Sequence, residues 1–157
     1  MTQTIYIETT IISYLVARQS RDLIVAAHQQ ITQEWWEARR DFFNLYISEL
    51  VIREAGSGDK AAAQRRLATV SEIPLLELNE EILALASSLV AEKAIPENAK
   101  EDALHIALAT VHGMDYILTW NCRHIANAEL RAAVSNVCAS HGYQSPIICT
   151  PEELMGE

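Results

Sequence analysis

The chain of 157 residues is long enough to bury a hydrophobic core without disulfides or a structural metal. Half of its residues are hydrophobic and 21% are charged, a composition that excludes a disordered chain. The formal net charge of −9 argues against a general duplex-binding protein, although a metal-dependent nuclease also concentrates carboxylates at its site.

Cysteine usage and the N-terminus predict a soluble, cytoplasmic protein. The cysteines, Cys122, Cys138 and Cys149, are odd in number and form no CxxC pair, which fits a reducing compartment and argues against a zinc knuckle. The opening MTQTIYIETT lacks the basic and apolar segments of a signal peptide. No apolar run approaches the roughly 20 residues of a membrane helix, so we expect no membrane association.

The first elements in chain order are a strand and a helical pair. Thr4–Glu8 predicts a short buried strand, because it is rich in β-branched and aromatic residues. Thr9 or Thr10 is the expected N-cap of the next helix. A long helix is predicted over Arg21–Arg40, and its apolar stripe is expected to be Leu23, Ala27, Ile31 and Trp35.

The middle of the chain alternates strands and helices. Phe43–Ser48 predicts a strand, followed by a short helix, ELVIREA, that stops at Gly56. Asp59–Val70 predicts a helix with Asp59 as its N-cap, and Ile73–Leu78 predicts a short strand. Asn79–Lys93 predicts another helix, whose buried face is expected to carry Leu83, Ala86 and Val90.

The last third continues the alternation. Asn98–His112 predicts a helix, Tyr116–Thr119 a strand, Asn127–His141 a helix and Ile147–Cys149 a final strand. Short apolar strands between helices are typical of a parallel sheet that is covered on both faces. We therefore expect residues 1–157 to form a single α/β domain, a three-layer α/β/α fold with a parallel sheet of four or five strands.

Four polar side chains are expected to meet at one edge of this sheet, where ligands of such folds bind. Glu8 ends the first strand, Glu54 lies on the short helix after the second, Asp102 opens the helix over Asn98–His112, and Asn121 follows the strand over Tyr116–Thr119. Clustered carboxylates repel one another unless a cation neutralises them, and Mg²⁺ or Mn²⁺ is the natural choice for oxygen ligands.

The same segments carry a family resemblance. IYIETTIISYL, SELVIREA, EDALHIALA and DYILTWNCRHI resemble, in order, the four sequence blocks of PIN-domain proteins. Their acidic positions fall on Glu8, Glu54, Asp102 and Asn121. The chain is most similar to the VapC-like toxins of bacterial toxin–antitoxin pairs, and the resemblance covers essentially its whole length.

The resemblance implies a PIN-like fold and a Mg²⁺- or Mn²⁺-dependent ribonuclease, with a small antitoxin as partner and a homodimer as the common assembly. Glu8, Glu54, Asp102 and Asn121 would be its catalytic and metal-binding residues, supported by Thr10 and Thr119. Two positions depart from the family, because Glu8 and Asn121 stand where PIN domains usually carry Asp. These departures motivate an alternative, a PIN-derived binding or regulatory module with weak or no catalysis.

Several residues keep two interpretations. Glu49 competes with Glu54 as the second acid, and Asn121 also fits a turn residue that binds its own backbone. His105 fits a satisfied histidine at the edge of the core better than one that tunes Asp102 or contacts RNA. Thr10 and Thr119 fit either helix caps or hydrogen-bond partners of a carboxylate. A structural role and a contact with RNA are both open for four other residues: Arg123, His124, Trp36 and Trp120.

Overall fold

The computed structural model describes residues 2–156, and its central element is a five-stranded, wholly parallel sheet. The strands lie in the order β3-β2-β1-β4-β5, so β1 is central and pairs with both β2 and β4. This confirms the predicted α/β class and strand number. The strand bounds are β1 (Thr4–Ile7), β2 (Asn44–Ser48), β3 (Leu75–Leu76), β4 (Tyr116–Leu118) and β5 (Ile147–Cys149).

Helices cover the sheet on both faces. Within residues 2–156 the seven α-helices are α1 (Thr9–Val16), α2 (Leu23–Ala38), α3 (Glu49–Ala55), α4 (Lys60–Val70), α5 (Glu80–Ala91), α6 (Lys100–Val111) and α7 (Ala128–Ser140). Helix α1 packs on α2, α3 and α4, whereas α5 packs on α6 and α7. Because crossovers between parallel strands are right-handed, these two groups lie on opposite faces and give the predicted three layers.

The strand order reverses direction at β1. The chain moves outward from β1 to β2 and β3, and then returns to the other side of β1 for β4 and β5. Helices that follow β1 and β4 therefore leave the sheet on opposite faces, which opens a crevice beyond the carboxyl ends of these two strands. Glu8 directly follows β1, and Thr119 directly follows β4, so both lie at this crevice.

Two predicted helix faces were right only in part, since Trp35 in α2 and Ala86 and Val90 in α5 do pack in or against the core. In α2, Leu23 is 86% exposed and Ala27 is exposed, and the buried residues are Gln29, Thr32 and Trp35. Polar residues can occupy this face because their hydrogen bonds are satisfied: Thr32 donates to the His28 carbonyl. In α5 the fully buried residues are Ile82, Leu85 and Leu89, and Leu83 is half exposed, because two sides of this helix are apolar.

Local caps explain where several helices begin. Asp59 caps α4 as predicted, through a hydrogen bond from the Ala62 amide. The prediction for α1 was wrong, because Glu8 is its N-cap and accepts the Thr10 amide, whereas Thr9 and Thr10 lie inside the first turn. Over residues 2–156, no helix has both the length and the hydropathy that crossing a membrane requires.

Candidate active site

Glu8 is buried at the carboxyl end of β1, with only 3% of its surface exposed. Its Oε1 accepts hydrogen bonds from the hydroxyls of Thr10 and Thr119, both at 2.5 Å, and its Oε2 accepts the Thr10 amide at 3.2 Å. A buried carboxylate needs hydrogen-bond donors to offset the loss of its hydration, and these three contacts supply them. Most of this hydrogen bonding is therefore concentrated on one oxygen.

Each of these two hydroxyls also accepts a backbone amide. Thr10 Oγ1 accepts the Trp120 amide at 2.8 Å, and Thr119 Oγ1 accepts the Asn121 amide at 2.9 Å. The chain after β4 is thus tied to the start of α1 through the groups that hold Glu8. Thr10 and Thr119 thus make the contacts expected of carboxylate partners, which is one of the two interpretations of these residues.

Glu54, on α3, is held in a similar way. Its Oε1 accepts the Thr9 hydroxyl at 2.5 Å and the His105 Nε2–H at 2.8 Å. His105 is fully buried, and its Nδ1 lies 2.7 Å from the Tyr6 hydroxyl. Burial alone would raise the pKa of Glu54, but the hydrogen bonds of His105 and Thr9 and the charges of His105 and Arg53 lower it below its ordinary value of 4.5.

This lowered pKa predicts an acid-sensitive contribution to stability. The contribution is complete above the unfolded-state pKa of 4.5 and is lost as the pH falls through the lower folded-state pKa. Urea denaturation at several pH values should therefore show the wild-type free energy of unfolding decreasing more steeply below about pH 4.5 than that of Glu54→Gln. The exposed Glu49 offers the control, since Glu49→Gln should follow the wild-type curve, and coincident curves for wild type and Glu54→Gln would contradict this prediction.

Asp102 and Asn121 are joined through His124. The His124 Nδ1 donates to Asp102 Oδ2 at 2.9 Å, and its backbone amide donates to Asn121 Oδ1 at 3.1 Å. Asn121 Oδ1 also lies 3.3 Å from the Arg123 amide. The amide side chain of Asn121 therefore makes the contacts of a turn residue, one of its two interpretations.

The three carboxylates share one pattern that suits a divalent cation. Glu8 Oε1, Glu54 Oε1 and Asp102 Oδ2 accept side-chain hydrogen bonds. Within residues 2–156, the second oxygen of each accepts no side-chain hydrogen bond and thus keeps lone pairs for a ligand. Ligand atoms of Glu8, Glu54 and His105 lie within 4.8 Å of one another, and Asp102 lies outside this group. Hard oxygen donors of this kind fit Mg²⁺ or Mn²⁺.

Some contacts at the site were not foreseen from the sequence. Thr9 was considered only as a helix cap, and His105 was connected with Asp102 rather than with Glu54. Trp120 was considered a candidate RNA contact, but it is 7% exposed, stacks on His28 at 4.0 Å and donates through Nε1 to Thr32. The sequence signals only the role of Thr9, through the TT that directly follows Glu8, whereas the partners of His105 and Trp120 are distant along the chain.

A comparison with known protein families completes the description of this site. The sequence model of the PIN domain matches residues 5–130. This range is more than half of the chain and contains Glu8, Glu54, Asp102 and Asn121. A search of curated proteins gave no match.

Proposed function

The chain belongs to the PIN-domain family, and from that premise we propose that it is a Mg²⁺- or Mn²⁺-dependent endoribonuclease, the toxin of a toxin–antitoxin pair. Membership indicates nuclease activity in general, with nucleic acid as substrate and a divalent metal ion at the site. The observation that carries the proposal is the set of carboxylates at the crevice beside β1, each with one oxygen held and the other accepting no side-chain hydrogen bond within residues 2–156.

In this proposal Glu8, Glu54 and Asp102 would hold the divalent ion, and the second oxygen of each carboxylate is the one available for it. When bound, the ion would polarise the phosphodiester and lower the pKa of the attacking water. Thr10 and Thr119 keep the Glu8 carboxylate in place, and His124 keeps that of Asp102 in place. Asn121 Oδ1 already accepts backbone amides, so we place its contribution through a bridging water.

Exposed cations beside these acids support an RNA substrate. Arg53 precedes Glu54 on α3, and Arg123 follows Asn121 by two residues. Both residues are exposed, and a guanidinium group can form bidentate hydrogen bonds with two oxygens of one phosphate. In a chain with a net charge of −9, these two positions offer local attraction for the RNA backbone next to the acids.

Cleavage of a mixed RNA pool by partner-free protein tests this proposal. We expect cleavage with Mn²⁺, none with EDTA, and a loss of about 10²-fold or more in Asp102→Asn, because that substitution removes one of three anionic ligands. Thermal unfolding should show that the variant is folded. Full activity of Asp102→Asn at saturating Mn²⁺ would overturn the proposed mechanism.

A binding or regulatory module without catalysis is the second candidate function. The observation in its favour is Asn121, whose neutral side chain already serves the turn after β4. This candidate predicts weak Mn²⁺ binding, and calorimetric titration distinguishes it from the first, since tight binding that depends on Glu8 and Glu54 would contradict it. No cleavage by folded, partner-free protein that also fails to bind Mn²⁺ would favour it.

Protein partners form the last part of the proposal. Leu23 and Ile24, at the start of α2, are 86% and 69% exposed. A groove of about 880 Å³ lies between α5 and α6 and is lined mainly by apolar side chains such as Leu83, Val90 and Leu104. Exposed apolar surface of this kind is typical of protein interfaces and supports binding of a small antitoxin and a second copy of the chain. Sedimentation of the protein alone would give the assembly state.

A further inference from the structure

His105 is buried, and each of its ring nitrogens lies within hydrogen-bond distance of a side chain. Its Nε2 lies 2.8 Å from Glu54 Oε1, and its Nδ1 lies 2.7 Å from the Tyr6 hydroxyl. Behind Tyr6, the Ser48 hydroxyl lies 2.8 Å away and is also buried. A continuous hydrogen-bonded chain therefore runs from the core, through Ser48, Tyr6 and His105, to the Glu54 carboxylate.

The partner of Nε2 determines where the hydrogen lies. An ionised carboxylate can only accept, so the short contact with Glu54 requires a hydrogen on Nε2. Tyr6 is consistent with either role at Nδ1, since burial, with the neighbouring charges of Glu8 and Glu54, raises the pKa of its phenol and keeps its proton in place. Nε2 is consequently a donor whichever way the Tyr6 hydroxyl points.

Two roles of His105 toward a cation are conceivable. A ring nitrogen of His105 lies within 4.8 Å of carboxylate oxygens of Glu8 and Glu54, so a ligand role is geometrically open. However, the Glu54 oxygen that His105 contacts also accepts the Thr9 hydroxyl. His105 and Thr9 are therefore both hydrogen-bond donors to this oxygen. The Glu54 side chain is 31% exposed and that of His105 is 1% exposed, so an ion arriving from solvent meets Glu54 first.

We infer that His105 is a positioning residue. Its Nε2–H fixes Oε1 of Glu54, leaves Oε2 of the same carboxylate to the divalent ion, and keeps the imidazole outside the ligand set. This inference rests on the proposed function, since it concerns the same metal site. It has a consequence for metal choice: an all-oxygen set favours Mg²⁺ or Mn²⁺, whereas an imidazole ligand would favour Zn²⁺.

The direct test is ¹⁵N nuclear magnetic resonance of the histidine side chains in the wild-type chain, without metal and with Mg²⁺. The chain has five histidines, and the signal missing from His105→Gln assigns His105. We expect a proton bonded to Nε2 in both states. Mg²⁺ binding with loss of the proton from Nε2 would overturn the inference and make His105 a ligand. If His105→Gln does not fold, Tyr6→Phe provides a second assignment, because it removes the hydroxyl that contacts His105 Nδ1 and leaves the Glu54 contact intact.

A matched pair of variants measures the positioning effect. His105→Gln places an amide N–H near the position of Nε2, whereas His105→Asn has an amide that reaches only the position of Nδ1. We expect Mg²⁺ affinity, measured by calorimetry, to fall by about 10- to 100-fold in His105→Asn and much less in His105→Gln. Equal affinities in wild type, His105→Gln and His105→Asn would overturn the inference.

The same experiments separate this inference from the proposed function. Wild-type protein that binds Mg²⁺ and cleaves RNA, while His105→Asn shows wild-type affinity, would overturn only the positioning role. Wild-type protein that neither binds Mg²⁺ nor cleaves RNA would overturn the proposed function and the inference together. At saturating Mg²⁺, the cleavage rate of His105→Asn should lie closer to the wild-type rate than its Mg²⁺ affinity lies to the wild-type affinity. The reason is that the ligands themselves are unchanged.

Discussion

Glu8→Gln is expected to lower metal-dependent RNA cleavage by about 10³-fold, corresponding to about 4 kcal/mol of transition-state stabilisation. The amide oxygen of glutamine can still accept the Thr10 and Thr119 hydroxyls. Its amide nitrogen would then take the place of Oε2, where it faces the Thr10 amide and offers the cation a donor in place of a lone pair. Single-turnover cleavage with Mn²⁺, together with calorimetric Mn²⁺ titration, measures both effects.

Two further variants make this result specific. Glu49→Gln changes an exposed acid of the neighbouring helix and should cleave RNA at the wild-type rate. Glu8→Asp keeps the charge but shortens the reach to the two threonines, so we expect a loss that is smaller than that of Glu8→Gln. Cleavage by Glu8→Gln within about twofold of wild type would mean that the buried carboxylate serves only the fold.

Trp120→Ala is expected to destabilise the chain by about 3–5 kcal/mol and to lower its melting temperature by roughly 10 °C. The indole is 7% exposed, stacks on His28 and donates through Nε1 to the Thr32 hydroxyl. Its removal leaves a cavity between α2 and the chain after β4 and deprives Thr32 of one partner. Differential scanning calorimetry with urea denaturation measures the change.

Trp120→Phe is the matched variant for this prediction. It keeps an aromatic ring against His28 but removes the donor to Thr32, so we expect a loss of about 1–2 kcal/mol. A Trp120→Ala chain with wild-type stability would show that the stack contributes nothing to the fold. Loss of cleavage in either variant beyond the loss of folded protein would show that Trp120 also supports the site.

The sequence predicted the fold well because its strands are short, apolar and clearly separated. The final strand, Ile147–Cys149, matches its prediction residue for residue, three others differ by one residue at an end, and β3 is limited to Leu75–Leu76 within the predicted Ile73–Leu78. The buried faces of α2 and α5 were predicted less well. Hydrophobic periodicity does not show that Thr32 has hydrogen-bond partners inside the fold, and it does not choose between the two apolar sides of α5.

Prediction of the site had a similar limit. A rule about strand ends pointed to Glu8, Asp102 and Asn121, and the family blocks favoured Glu54 over Glu49, but neither predicted the hydrogen-bonding partners of these residues. Spacing along one helix connected His105 with Asp102, whereas its true partner, Glu54, is 51 residues away. Such a contact depends on how α3 and α6 lie relative to β1, and local patterns contain no information on that arrangement.

The threonine hydroxyls beside Glu8 have a consequence for how a substrate is accommodated. The same hydroxyls that hold the carboxylate also accept the amides of Trp120 and Asn121. A substrate could therefore not displace the segment after β4 without loosening Glu8 as well. Induced fit at this edge would disturb the geometry of the site, so selectivity for nucleic acid is expected to come from a preorganised, rigid rim that recognises its substrate by shape.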